Sequence, residues 1–251
     1  MNSQKQLWTS IVCVFCVIGL ICLVMIKRNS ISIFDPRIEP SSELIVDIST
    51  APMQSKPYQV KKFSIVMGPK KLSSKQISDH LQLYAGYVNK RNEIDQALQT
   101  VDKSKANQTY SAFRGLKLSE TFARNGSLLH ELYFENIGMG TTMGQKTQEI
   151  LVKNFGSIEN FKEDLMATAT AARGWALTCY NLDDNRVQNY LLDAHNEKVP
   201  VLTMPLLVVD TYEHAYMIDF GINRKEYLAI LWDNINWDVV ESRVERWGLC
   251  S

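Results

Sequence analysis

The stretch DTYEHAYMIDF, residues 210–220, follows directly on the apolar run MPLLVV and ends it with an acid and then a histidine four residues on. The apolar run reads as a buried strand. Asp210 and His214 each prefer water, so their place at the mouth of such a strand points to a shared cation or to an acid–base pair. The remaining partners have to come from elsewhere in the chain.

Upstream of this stretch lie two more short apolar segments, WALTCYNL (175–182) and VQNYLLDA (187–194), with a turn signal at Asp183-Asp184-Asn185 between them. With TMPLLVVD (203–210) they predict three strands. The preceding chain has a different period. In LSSKQISDHLQLYAGYVNKRNEIDQALQTV, Ser73 or Ser74 can cap a helix, and Ile77, His80, Leu81, Tyr84, Tyr87, Val88 and Ile94 recur at helical spacing. A second long helical pattern runs through GLKLSETFARNGSLLHELYFENI, and shorter ones follow GMGTTMG in TQEILVKNF and ENFKEDLMATATAA. After the strands, RKEYLAILWDNI and NWDVVESRVERW are helical again. The order, two long helices, more helices, three strands and then helices, predicts an α+β fold with an all-helical front part.

Composition narrows the function. Among 251 residues, 27 basic side chains balance 27 acidic ones, which gives no electrostatic case for nucleic acid or for an anionic surface. Residues 7–26, LWTSIVCVFCVIGLICLVMI, carry no charge over a length close to that needed to cross about 30 Å of hydrocarbon. With no small-residue cleavage site nearby, they predict an uncleaved transmembrane anchor rather than a signal peptide. Residues 27–57 read as a linker rich in Ser, Pro and Ile, with a short strand at SELIVDI. Lys5 on one side and Lys27 and Arg28 on the other give the positive-inside rule conflicting votes. The expected arrangement has a cytoplasmic N-terminus and an extracytoplasmic catalytic domain, because so short a head has nothing else to do. Of five cysteines, Cys13, Cys16 and Cys22 fall within the anchor and Cys179 and Cys250 lie far apart, so nothing requires a disulfide or a metal–thiolate site.

The chain has only four histidines. His80 and His130 fall on the apolar faces of the two long helices, and a lone histidine in such a place is more often a core residue than a ligand. Two of them on paired helices, added to Asp210 and His214, suit a first-row ion such as iron, manganese or zinc in a His3Asp site.

These residues carry a family resemblance. DTYEHAYMIDF resembles the D-x-W-E-H-A-Y signature of the iron/manganese superoxide dismutases, with Tyr212 in place of the tryptophan. ISDHLQLYAGYV, NGSLLHELYFEN, FGSIENFKEDL, ARGWAL and NRKEYLAILWDNINW match further landmarks in the family's order, over about residues 58–247. The resemblance implies a helical hairpin over residues 58–140 carrying two ligand histidines, and a C-terminal α/β metal-binding domain over 141–251, with a three-stranded antiparallel sheet, carrying the other two ligands. His80, His130, Asp210 and His214 would hold one Fe or Mn ion per subunit, with solvent as a fifth ligand. It implies disproportionation of superoxide to dioxygen and hydrogen peroxide by an antioxidant enzyme. A metal-binding paralogue with little turnover and a membrane-tethered interaction protein stay open beside it.

The resemblance also gives meaning to neighbouring positions. The family's outer glutamine would fall at Gly126 or on the strand turn, and in this chain the turn sets His195 there; the alternative is an exposed turn residue. In place of the commoner H-x3-H-x3-Y, the first helix reads H-x3-Y-x2-Y. Positions i, i+4 and i+7 fall at roughly 0°, 40° and −20°, so His80, Tyr84 and Tyr87 share a face. Tyr87 would then be the tyrosine of the substrate funnel. Tyr84 stands where the family has a gateway histidine, and Met217 where it has the partner subunit's tyrosine; core packing is the alternative for both tyrosines. Glu213 resembles the glutamate that bridges to a ligand histidine across a homodimer, or else is a surface acid. Trp175 matches a pocket-wall tryptophan needing only a packing role, and Arg224 an arginine that draws anions, or one that is merely exposed.

Overall fold

A computed structural model describes residues 56–68 and 72–249. The anticipated anchor at 7–26, nearly all of the 27–57 linker with its SELIVDI strand, and four of the five cysteines lie outside them. Among the described residues no helix is long and apolar enough to cross a membrane.

Residues 55–251 form one compact unit. It begins with two long helices, α1 (Ser74–Thr100) and α2 (Ala112–Glu135), which pack against each other. Ser73 caps α1, its hydroxyl accepting from the Gln76 N–H, and Ser111 caps α2 in the same way through Arg114. Two shorter helices follow, α3 (Gln145–Phe155) and α4 (Ile158–Ala171), then strands β1 (Trp175–Asn181), β2 (Val187–Leu192) and β3 (Thr203–Asp210). The single turn α5 (Met217–Phe220) leads to α6 (Arg224–Asp233) and α7 (Trp237–Arg246). This α+β order, with its three-stranded antiparallel sheet, is the one anticipated.

The sheet order is β2-β1-β3, with both pairings antiparallel. Central β1 is buried at six of its seven positions, because helices and core cover both faces; it therefore lacks the alternation of a half-exposed strand. Edge strand β3 accepts Pro205, which has no N–H to donate, beside a register shift opposite Thr178 and Cys179. Asn185 takes a left-handed φ of 57° in the β1–β2 turn, where asparagine is tolerated.

The C-terminal end of α2 is fastened to β3. The Asn136 side chain donates to the Val208 carbonyl and accepts from the Val208 N–H, both at 3.0 Å. Buried Arg243 of α7 donates to Asn136 Oδ1, to the Leu206 and Leu132 carbonyls, and to Glu135. Charge-assisted bonds of this kind hold two elements in one register, and this one sets the helix bearing His130 against the strand bearing Asp210.

Candidate metal centre

Four side chains distant in sequence meet where β3 ends. His80 comes from α1 and His130 from α2; Asp210 closes β3, and His214 lies in the single 3-10 turn Glu213–Ala215 that follows. Each offers one donor atom, and all four atoms lie within 4.8 Å of one another. Asp210 Oδ2 is the hub, at 3.1 Å from His80 Nε2, 3.2 Å from His214 Nε2 and 3.7 Å from His130 Nε2. Donors around one first-row ion, with bonds of about 2.1 Å, stand about 3.0 to 3.6 Å apart at 90–120°. The spacing suits a single ion.

Hydrogen bonds on the far side of Asp210 and His130 aim these two inward. Asp210 Oδ1 accepts from the Tyr212 N–H at 2.9 Å, and the Asp210 carbonyl accepts from the Tyr227 hydroxyl at 2.7 Å. Only Oδ2 remains for the imidazoles. His130 Nδ1 donates to the Gly126 carbonyl at 2.6 Å, which puts the free lone pair on Nε2. That Nε2 is buried and has no hydrogen-bond partner, a costly condition that a bound cation removes.

Electrostatics agree. Burial holds His130 down to about 3 and also lowers His80, so both imidazoles are neutral bases near pH 7. Burial pushes the Asp210 carboxyl up, but His214 and His80 outweigh it and hold the group below the ordinary carboxylate range. Three imidazole nitrogens and one anionic oxygen form a donor set suited to a divalent or trivalent first-row ion.

Comparisons with known proteins point the same way. Residues 143–243 match the family model for iron/manganese superoxide dismutases, C-terminal domain. An iron superoxide dismutase of Aquifex aeolicus (strain VF5) is 41% identical over 182 residues, covering 70% of this chain and 85% of that protein. One from Aquifex pyrophilus is 42% identical over 184 residues with the same coverage. A manganese superoxide dismutase of Haloferax volcanii is 28% identical over 165 residues, covering 65% of this chain and 81% of its own. The chain belongs to the iron/manganese superoxide dismutase family.

Around this superoxide dismutase site the positions anticipated from sequence fall as follows. His195 is buried, not exposed on its turn, and its ring lies 5.8 Å from that of His130 and 4.7 Å from that of Tyr87. Gly126 leaves the room: a Cβ there would stand 2.8 Å from Tyr87 Cδ1 and 3.2 Å from His195 Cδ2. Tyr87 is half-buried and stacks on His130, and its phenol is pushed up by burial and then by Asp210. Tyr212 is raised to about 12 by burial, then by Asp210. Both phenols stay protonated at neutral pH.

Other positions make contacts that the sequence did not specify. Trp175 does more than pack, for its indole N–H donates to His195 Nδ1 at 2.9 Å. Tyr84 is fully buried; its hydroxyl donates to Glu131 at 3.0 Å and accepts from the Lys61 N–H at 3.0 Å. Glu131 also receives the Tyr58 hydroxyl and pairs with Lys61, so the segment entering the fold is tied to the hairpin. Arg224 is engaged rather than free, donating to the Ala172 carbonyl at 2.8 Å and to the Tyr216 hydroxyl. Glu213 and Met217 are exposed.

Sequence reasoning passed over Gln76. It is completely buried, one helical turn before His80, and joins α1 to the segment bearing His214. Its signal was a glutamine among the apolar-face positions of α1.

Proposed function

We propose that His80, His130, Asp210 and His214 hold one iron or manganese ion, at which this enzyme disproportionates superoxide. The observation that carries this reading is the convergence of three imidazole Nε2 atoms on one carboxylate oxygen, with that of His130 otherwise unpartnered. Held there, the ion would supply the one-electron exchange between 3+ and 2+ states by which two superoxide anions and two protons become dioxygen and hydrogen peroxide.

The protein's own part is to set charge and hold protons. With one ionised carboxylate, Asp210, as its single anionic ligand, the loaded centre would keep a net positive charge, which favours entry of a small anion. His195 accepts from Trp175 at Nδ1, so its proton sits on Nε2, on the ring edge that faces Gly126. In this reading it is the donor that orders solvent at the site. Protonated Tyr87, stacked on His130, lies beside it as the second proton-bearing group. A second reading, a metal-binding paralogue with little turnover, draws on Tyr84, whose hydroxyl is taken up by Glu131 and the Lys61 N–H.

The setting completes the proposal. Uncharged residues 7–26 support a single-pass anchor, followed by a linker over 27–57 and an extracytoplasmic body made of the 58–140 hairpin and the 141–251 α/β part. Exposed Met217 and Ile218 beside exposed Glu213 support a homodimer through this face. Elemental analysis of the purified chain beside a superoxide assay separates the readings: metal with turnover supports the first, metal without turnover the second, and neither defeats both. Resistance to alkaline extraction and a protected N-terminus in protease digestion test the anchor, which easy release from membranes would refute.

A further inference from the structure

We infer that Gln76 is the positioning residue that holds His214 on the metal; this rests on the metal-centre reading above. His214 is the least enclosed of the four ligands, with 28% of its side chain exposed. It also sits on the weakest element, a three-residue 3-10 turn without a side-chain cap. The Gln76 amide ties that turn to α5, the helical turn that follows it. Its Nε2 donates to the His214 carbonyl at 2.5 Å, and its Oε1 accepts from the Ile218 N–H at 3.1 Å.

Gln76 and His80 are four residues apart on α1 and share a face, so the grip refers His214 to the helix that carries another ligand. The helix start adds a second tie, the Ser73 N–H donating to Asp219 Oδ2 at 2.6 Å. That bond reaches α5 and does not touch His214. Among the described residues, the hydrogen bond from α1 to the ligand's own peptide is the one from Gln76. Because the hairpin and the strand end reach the site from distant parts of the chain, the His80–His214 separation depends on such a cross-tie.

The test uses the full chain loaded with iron or manganese, and compares Gln76→Leu, which removes both bonds, with Gln76→Glu, which removes the donor and keeps the acceptor. Ser73→Ala is the control, since it weakens the α1 cap without touching His214. The readouts are the rate of metal loss to a chelator well below the melting temperature and the ferric electron paramagnetic resonance spectrum. The expected result is metal loss at least tenfold faster in both Gln76 variants, with an altered ferric spectrum and wild-type behaviour in Ser73→Ala. Folded Gln76→Glu with the wild-type loss rate and spectrum would overturn the inference, and it decides the matter if Gln76→Leu does not fold. A wild-type chain that binds neither metal would instead overturn the metal-centre reading, and this inference with it.

Discussion

The indole N–H of Trp175 points at Nδ1 of His195, 2.9 Å away, and so decides which imidazole nitrogen carries the proton. Trp175 opens β1 and His195 lies in the turn after β2, so the sheet itself fixes the tautomer. Trp175→Phe keeps most of the packing and releases the ring. Loss of an outer-shell partner of this kind typically costs about 10–100-fold in metal affinity or activity. We expect turnover to fall within that range and the midpoint potential to move, with the fold retained by circular dichroism. Unchanged potential and turnover would remove His195 from the account.

Gly126 separates two rings with no space to spare. Gly→Ala in a helix ordinarily gains about 1 kcal/mol, but here the new methyl meets Tyr87 Cδ1 at 2.8 Å and His195 Cδ2 at 3.2 Å. Overpacking costs about 1–3 kcal/mol and should win. Gly126→Ala is expected to melt no higher than wild type and to lose activity by displacing both rings. A clear rise in melting temperature with full activity would show that the rings yield freely.

The buried imidazoles make the metal-free protein sensitive to acid in a defined direction. His130 titrates near 6.5 when unfolded and is held down to about 3 in the fold, chiefly by burial. The unfolded chain therefore binds more protons between those values, and stability is lost as pH falls through the window. His195, held down to about 4, adds to the trend. Melting temperature of the metal-free chain should be level above about pH 6.5 and fall steadily below it, with a shallower slope in His195→Gln. A flat profile from pH 7 to 4 would contradict the burial of these rings.

Glu241 tests the frame away from the site. Gly144, at the start of α3, offers no side-chain cap, and Glu241 of α7 supplies one across space by accepting from the Lys146 and Thr147 N–H groups at 3.1 and 2.8 Å. Burial raises the Glu241 carboxyl, but its bonds from Thr147 and Lys146 outweigh burial and lower it. Its contribution is therefore present above the ordinary glutamate value of 4.5 and lost as pH falls through the lower folded value. Glu241→Gln should cost about 1 kcal/mol at neutral pH, and progressively less in acid. An equal difference at pH 7 and pH 3 would argue against the charged cap.

What was legible in the sequence, and what was not, follows from the range of each signal. Helical spacing put His80, Tyr84 and Tyr87 on one face, and an apolar run ended by Asp210 marked the last strand to the residue. Both are local patterns that side-chain periodicity dictates. The contacts that aim the ligands leave no such trace. Gln76 meets His214 across 138 positions, and Asn136 meets Val208 across 72. Tyr84 could be placed on the site's face of α1, but only Glu131 on the neighbouring helix decides where its hydroxyl goes. Likewise, the packing role expected of Trp175 missed its donor because the acceptor lies beyond a strand and a turn.

The most direct test is the iron and manganese content of the purified chain, measured with its superoxide consumption, beside the same measurements on His130→Ala. Three imidazole nitrogens and one carboxylate gathered on a single point predict close to one ion per chain with rapid superoxide consumption, both lost in the variant. A variant that keeps the ion and the turnover of the parent would mean that the four side chains do not form the centre.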